Sequence, residues 1–159
     1  MPGLALTEPT RSTTVAQPAA VIPIVIPRAR IREVMGPALA ELHATLADQG
    51  LTPQGPAFAL HRRVDPAVFD LELGLPIAGP LAPSGRVRPG VLPAVEVVAA
   101  TLTGTYEQFE AAWAELDAWI LAARLRPAWP IWVRYLVGPR EQPDPRRWQT
   151  ELVHTVVPA

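Results

Sequence analysis

Two glutamates occupy the same place in a pattern that the chain contains twice. The pattern is Asp-Pro-x-x-aromatic-x-x-Glu-Leu, at residues 65–73 and again, about 79 positions later, at 144–152. Its glutamates are Glu72 and Glu151, each set among apolar residues of a predicted strand. A carboxylate in such surroundings serves as a cation receptor or as a general acid or base, because desolvation raises its pKa unless a positive charge restores the ionised form. The simpler alternative is a glutamate that faces solvent or pairs with an arginine.

Aromatic residues distinguish the two copies of this pattern. All five tryptophans belong to the second copy: Trp113, Trp119, Trp129, Trp132 and Trp148. Trp132 and Trp148 lie on the strands predicted around Glu151, where each either stacks on a ligand or packs in the core. Glu72 has Phe58 and Phe69 near it in sequence and no strand tyrosine. We therefore expect Glu151 to carry the chemistry, with Glu72 in a lesser role.

Other kinds of chemistry lack their residues. The 159-residue chain has no cysteine, and all 14 of its basic residues are arginine, which excludes thiol nucleophiles, thiolate metal sites and lysine Schiff bases. The histidines, His43, His61 and His154, do not form a metal-binding pattern. No phosphate-binding or dinucleotide-binding glycine motif occurs. We expect neither a metal nor a cofactor.

Charge and hydropathy restrict the partners. Fourteen basic and fifteen acidic residues give a net charge of −1, so the basic stripe of a nucleic-acid-binding protein is missing and direct nucleic-acid binding is not expected. Apolar runs are only a few residues long, which excludes a membrane span. The first 20 residues lack the continuous apolar region of a secretory signal. We expect a cytoplasmic protein.

The repeat also predicts the elements that position the glutamates. A strand is expected at 95–103, with its counterpart at 21–29 distorted or at an edge because of Pro23 and Pro27. Apolar residues at helical spacing run from Ile31 to Leu46 and from Tyr106 to Ile120, and Gly50 and Pro127 are expected to end these helices. Two short strands follow each helix, at about 57–63 and 69–77 and at about 131–137 and 148–157.

These elements define an organisation of two copies. Residues 1–20, rich in threonine, proline and alanine, are expected to be a flexible tail. A single domain then covers 21–159, with repeat one at about 21–78, a Pro/Gly-rich linker at about 79–93 and repeat two at about 94–157. The predicted fold class is α+β: a tandem β-α-β-β repeat with pseudo-two-fold symmetry, antiparallel sheets, two long helices on one side and a central ligand cleft.

The order of several motifs resembles that of a known family. The motifs are Gly104-Thr105-Tyr106 before a helix, Pro130 to Tyr135 on the next strand, Asp144-Pro145, and Trp148 to Leu152 with Val156. Together they resemble the GyrI-like (gyrase-inhibitor-like) effector-binding domain over about residues 21–157, and Phe69–Ile77 is similar to the matching segment of the first half. The chain departs from the family pattern at Pro23, at Pro27 and at His61, which stands where the second copy has Tyr135.

The resemblance implies a function and a set of site residues. GyrI-like domains bind hydrophobic, often cationic, drug-like compounds in a central cleft, through aromatic residues and a glutamate of the final strand. By resemblance that glutamate is Glu151, and Tyr106 and Tyr135 correspond to tyrosines beside the cleft. The ligand-binding set is then Glu151, Trp132, Tyr135, Tyr106, Trp148, Glu72 and Phe58.

Three functions follow as hypotheses. The first is a stand-alone binding or sequestration protein for a hydrophobic aromatic small molecule, cationic or neutral, since no helix-turn-helix is found before the domain. The second, implied by similar stand-alone family members, is a hydrolase that opens the cyclopropane-type ring of a DNA-alkylating natural product and so confers self-resistance, with Glu151 acting on water. The third is a module that binds a protein partner.

Overall fold

The computed structural model describes residues 4–63 and 65–159, which form an α+β protein. In chain order its strands and α-helices are β1 (Ala5–Leu6), β2 (Thr10–Thr13), β3 (Gln17–Pro27), α1 (Ile31–Asp48), β4 (Phe58–His61), β5 (Val68–Pro76), β6 (Arg88–Leu92), β7 (Glu96–Thr103), α2 (Phe109–Ala122), β8 (Leu125–Val137) and β9 (Gln149–Pro158). They fall into two compact units. The first unit is Val15–Ala94, and the second is Val95–Ala159 with the N-terminal segment that ends at Thr14.

The first unit has an antiparallel sheet in the order β4-β5-β3-β6. On β5, the buried residues Leu71 and Leu73 alternate with Glu72 and Gly74, so the leucines form one face of the sheet and the glutamate lies on the other. Helix α1 contributes buried residues to this unit at Ala38, Leu42, Thr45 and Leu46. The helical spacing therefore predicted the buried C-terminal half of α1 correctly.

The second unit has β9 between β7 and β8, all antiparallel, and the N-terminal strands β1 and β2 pair with β7. Helix α2 buries Ala112, Leu116 and Ile120. It packs on the sheet face that carries His154, because the rings of Trp113 and His154 are 5.9 Å apart and His154 Nε2 lies 3.3 Å from Asp117 Oδ1. The residues next to His154 along β9 face away from α2.

The N-terminal segment differs from the flexible tail predicted over 1–20. Ala5 and Leu6 pair with Thr103 and Leu102, and residues 10–13 pair with residues 96–99 of β7. The Arg11 guanidinium forms an ion pair with Glu96, and Trp119 Nε1 donates to Glu8 Oε1 at 3.3 Å. Sequence periodicity missed these strands because they are short and exposed, and backbone hydrogen bonding to an existing strand requires no apolar pattern. Residues 1–3 lie outside the described residues.

Strand β3 is an edge strand over the part that contains Pro23 and Pro27, as predicted, but its first part lies between two other strands. It pairs with β5 along Ala19–Pro27 and with β6 along Gln17–Val21. Pro23 and Pro27 lie beyond the segment that pairs with β6, so the lack of an N–H group at these residues removes no hydrogen bond between β3 and β6. Residues 79–93, predicted as a linker, contain β6, which supplies this second pairing.

The helix ends were predicted correctly in one repeat and wrongly in the other. Gly50, with φ of 68°, follows α1 in the left-handed conformation, and the Leu51 N–H donates to the Leu46 carbonyl at 2.8 Å. After α2 the left-handed residue is Arg124, with φ of 62°. Pro127 belongs to β8 and does not end the helix.

Strand registers confirm the internal repeat and correct its alignment. Pro23 pairs with Glu72 on one strand of the first unit, and Thr101 pairs with Glu151 at the equivalent place in the second, so the first strands correspond at a spacing of 78, from Pro23 to Thr101. The sequence had placed them at about 74. A spacing of 74 residues applies to the first strands after the helices, where Phe58 corresponds to Trp132. A spacing of 79 residues applies to the final strands, where Glu72 corresponds to Glu151. The change from 78 to 74 arises because α1 has 18 residues and α2 has 14.

Candidate functional site

Glu151 lies in the middle of the second unit's sheet. On β9 it stands directly opposite Thr101 of β7 on one side and Arg134 of β8 on the other. Side chains directly opposite each other in an antiparallel sheet share a face. Because His154 is three residues away on a regular stretch of strand, Glu151 is on the face that α2 does not cover.

The Glu151 carboxylate forms an ion pair with Arg134. Arg134 Nη1 donates to Glu151 Oε1 at 2.9 Å. The side chains are 37% exposed for Arg134 and 25% for Glu151, so a solute can reach both. The sequence analysis considered pairing with an arginine only in general terms. The sequence shows that Arg134 is two residues from Trp132 and shares its face of the strand, but the residue of β9 that it meets depends on the strand register.

Trp132 shares the Glu151 face but offers little surface to a ligand. It is directly opposite Val153, two residues from Glu151 on the same strand. Its exposure is 2%, and that of Val153 is 3%. In this structure Trp132 therefore packs as a core residue beside Glu151, which is the second of the two interpretations left open by the sequence.

Three of the predicted ligand aromatics form a cluster on the opposite face. The ring of Tyr106 lies 4.7 Å from that of Trp148, 5.9 Å from that of Tyr135 and 5.1 Å from that of Phe109, measured between centroids. Tyr135 is directly opposite Thr150, next to the Arg134–Glu151 pair, and so points away from Glu151. In this structure Tyr135 and Trp148 therefore contact Tyr106 and lie on the sheet face away from Glu151.

Hydrogen bonding and burial hold this aromatic cluster in place. Trp148 Nε1 donates to the Gln142 carbonyl at 2.8 Å. Burial raises the pKa of both phenols, and the Glu141 carboxylate raises that of Tyr106 further. Both tyrosines therefore stay protonated at neutral pH. Their arrangement is that of a half-buried aromatic core at the start of α2.

The first unit contains an equivalent glutamate with a different neighbour. Glu72 on β5 stands opposite Pro23 and Leu60, whereas Glu151 stands opposite Thr101 and Arg134. Arg62 Nη1 lies 3.8 Å from Glu72 Oε2, but the same guanidinium is 3.0 Å from Asp70 Oδ1. The carboxylate of Glu72 is therefore less closely paired than that of Glu151.

Phe58 corresponds to Trp132 and is buried like it. It is directly opposite Gly74 and is 1% exposed. Its ring fills the space that a side chain at Gly74 would occupy. Phe58 is on the same face as Glu72, but it presents almost no surface to a ligand in this structure.

The remaining titratable groups do not assemble into a metal centre. Within the described residues, no group of three or more histidines, aspartates and glutamates could hold a metal ion. His154 is 5% exposed, and its two nitrogens face the Thr155 carbonyl, at 2.9 Å, and Asp117. No helix in the described part of the chain is long and apolar enough to cross a membrane.

Comparisons with solved structures show the fold. The C-terminal domain of EcmrR is 16% identical, with a TM-score of 0.85 over 96% of this chain and 98% of that one. A Listeria innocua hydrolase is 16% identical, with a TM-score of 0.70 over 94% and 92%. SAV2435 bound to tetraphenylphosphonium is 9% identical, with a TM-score of 0.62 over 95% and 94%.

Three further comparisons concern the length and the sequence of the chain. In the complex of EcmrR with DNA, this chain spans 58% of the EcmrR chain, at 17% identity and a TM-score of 0.84. No curated protein matches the sequence. The profile of the family described as the GyrI-like small molecule binding domain matches residues 31–156, which include both glutamates and both helices. With the α+β repeat and these structural matches, the chain belongs to the GyrI-like small-molecule-binding family.

Proposed function

We propose that this chain binds and sequesters a hydrophobic aromatic small molecule and that Glu151 recognises a positive charge on it. The observation that carries the proposal is the position of the Glu151 carboxylate: mid-strand, partly exposed, and on the sheet face away from α2. Apolar side chains of Trp132 and Val153 adjoin it on that face. A carboxylate with apolar neighbours attracts a cation more strongly than one surrounded by water.

The family and one structural neighbour support this ligand class. The family is one of small-molecule-binding domains. SAV2435 binds tetraphenylphosphonium, an aromatic cation without a hydrogen-bond donor. A ligand of that kind would be recognised by charge and apolar contact alone, and in the proposal Glu151 supplies the charge. The absence of a nucleic-acid partner is also part of the proposal.

Tryptophan fluorescence provides a direct test. All five tryptophans lie in the second unit, so quenching by a flat cationic dye reports binding there. We expect micromolar binding, with a Kd on the order of 1 µM. Glu151→Gln should weaken the cationic dye more than a neutral analogue of the same shape.

The control for net charge is Glu110→Gln. Glu110 is an exposed residue in the first turn of α2, remote in sequence from β9, and its substitution removes the same charge. Equal weakening of dye and neutral analogue by Glu151→Gln would contradict charge recognition. An equal loss in Glu110→Gln would show that only the overall charge matters.

A second candidate function is hydrolysis of an electrophilic ring. The Listeria innocua neighbour that is identified as a hydrolase favours it, and Glu151 is the residue that would orient or deprotonate water. Tyr135 and Trp148 lie on the other sheet face, so the substrate contacts would come from the surroundings of Glu151 instead.

Mass spectrometry separates the two functions. The chain is incubated with an excess of a spirocyclopropane alkylating compound. A product heavier by one water, formed in many equivalents per protein and lost in Glu151→Gln, supports the hydrolase. Unchanged compound recovered in a one-to-one complex supports sequestration.

A further inference from the structure

We propose that Arg134 is a specificity-determining residue that competes with the ligand's positive charge for Glu151. The inference rests on the proposed function, because it concerns the same carboxylate. It assigns to Arg134 a role that opposes cation binding. Removing the guanidinium should therefore strengthen the binding of cations.

The geometry places the guanidinium where a ligand's cation would have to be. Arg134 and Glu151 are directly opposite on adjacent strands, and the described contact joins Nη1 to Oε1 at 2.9 Å. A second cation can approach the carboxylate closely only if this contact opens or is shared. Otherwise two positive charges lie close together in a partly dehydrated site, which is unfavourable.

The contact is also able to open. The Arg134 side chain is 37% exposed, so the guanidinium can turn into water when it leaves Glu151. Binding therefore replaces the Arg134 guanidinium with the positive charge of the ligand beside the Glu151 carboxylate, and no unpaired charge is left buried. An apolar body on the ligand adds favourable burial to this exchange, whereas a compact, strongly hydrated cation gains nothing from it. Arg134 thus selects large hydrophobic cations over small hydrated ones.

The internal repeat shows that the fold does not require an arginine at this position. Leu60 is the residue opposite Glu72, just as Arg134 is opposite Glu151. Leu60 is 7% exposed and belongs to the core of its unit. A leucine is therefore compatible with a place beside a mid-strand glutamate in this architecture. This makes Arg134→Leu the informative substitution.

The experiment compares four proteins: the wild type, Arg134→Leu, the double variant Arg134→Leu/Glu151→Gln, and the control Arg126→Leu. Arg126 is exposed on the same strand and is opposite Val157, away from Glu151, so its loss changes the net charge equally. Dissociation constants are measured by fluorescence for a flat cationic dye, a neutral analogue of the same shape, and methylammonium as a compact, strongly hydrated cation.

We expect Arg134→Leu to tighten the dye by about tenfold and the neutral analogue by less than about twofold. Methylammonium, for which we expect no detectable binding to the wild type, should become a detectable ligand. The double variant should lose the gain for both cations. Arg126→Leu should bind all three compounds as the wild type does, since a distant exposed charge is screened by salt.

Three results would overturn the inference while leaving the proposed function intact: unchanged or weaker dye binding in Arg134→Leu, equal tightening of dye and neutral analogue, or the same gain in Arg126→Leu. A wild type that binds neither dye nor neutral analogue overturns the proposed function itself. Circular dichroism and thermal unfolding verify the fold of each variant. Arg134→Gln, which keeps a polar side chain, takes the place of Arg134→Leu if the leucine variant does not fold, with the same expectations.

Discussion

The ring of Phe58 lies directly over Gly74, in the space that a side chain at residue 74 would need. A β-carbon on Gly74 would stand 2.9 Å from Phe58 Cε1 and 2.9 Å from Val21 Cγ1, closer than real contacts allow. Both neighbours are buried, so neither ring nor methyl group can move into solvent. This contact fixes the position of the Phe58 ring over Gly74, which is two residues from Glu72 on the same strand.

Gly74→Ala should therefore lower the free energy of unfolding by about 1–3 kcal/mol, as overpacking of a tight core does. Gly36→Ala is the matched control. Gly36 lies in α1, and apart from its chain neighbours and its own helix no atom is within 4 Å of where a β-carbon would stand. The gain in helix propensity is opposed by the contact of that β-carbon with Pro37, so alanine there should change the free energy of unfolding by less than about 1 kcal/mol. Urea unfolding measures both. A Gly74→Ala protein as stable as the wild type would show that Phe58 can move aside.

The stability of the chain should depend on the ionisation of His61. Burial, and to a lesser extent the Arg28 guanidinium, lower the pKa of this histidine from 6.5 to about 4. The unfolded chain then binds more protons between these values, so stability falls as the pH drops from about 6.5 toward 4. The loss is at most roughly 3 kcal/mol, from 1.36 kcal/mol per pKa unit.

Thermal unfolding of the wild type and of His61→Gln between pH 7 and 4.5 measures this dependence. The glutamine variant, which does not titrate, should show a flatter profile over this range. Asp65, Asp70 and Asp144, whose pKa values are lowered chiefly by hydrogen bonds, contribute at lower pH in both proteins. Identical slopes would mean that His61 is not the titrating group.

The two glutamates should differ in their effect on ligand binding. We expect Glu151→Ala to abolish binding of the cationic dye, and Glu72→Ala to weaken it by less than about tenfold, or roughly 1.4 kcal/mol. The reason is that the proposal assigns recognition of the ligand's charge to Glu151, whereas Glu72 lies in the first unit, where Asp70 and Arg62 already surround it. Titration of each folded variant with the cationic dye measures this difference. A greater loss of dye affinity in Glu72→Ala than in Glu151→Ala would show that the first unit is the functional half.

The N-terminal segment should prevent self-association. Strands β1 and β2 cover the edge of β7, so a variant lacking residues 1–14 exposes unpaired N–H and C=O groups. We expect it to form concentration-dependent oligomers, detectable by size-exclusion chromatography with light scattering. Arg11→Gln breaks the ion pair with Glu96 but keeps the strand, and should stay in the oligomeric state of the wild type. A truncated chain that matches the wild type would show that the β7 edge is protected in another way.

The sequence predicted the helices and the repeat well because buried helix residues such as Leu42 and Leu116 recur at a spacing that only a helix explains. It failed for β1 and β2, whose pairing depends on backbone groups, and for the first part of β3, which pairs with β6 before Pro23 and Pro27. The contact of Glu151 with Arg134 depends on the register between β8 and β9, which no single-strand pattern contains.

The difference in helix length has a consequence for how the two copies have diverged. Helices α1 and α2 align at Leu42 with Leu116 and at Leu46 with Ile120, so the four additional residues of α1 lie at its N-terminal end. Four residues turn an α-helix by about 400°, close to one full revolution, and lengthen it by about 6 Å. An insertion of this size leaves the packed side of the helix facing the sheet, whereas one of two residues would turn it away. Either half of the duplication can therefore gain or lose a whole helical turn at this end, while the strand registers around its glutamate stay unchanged.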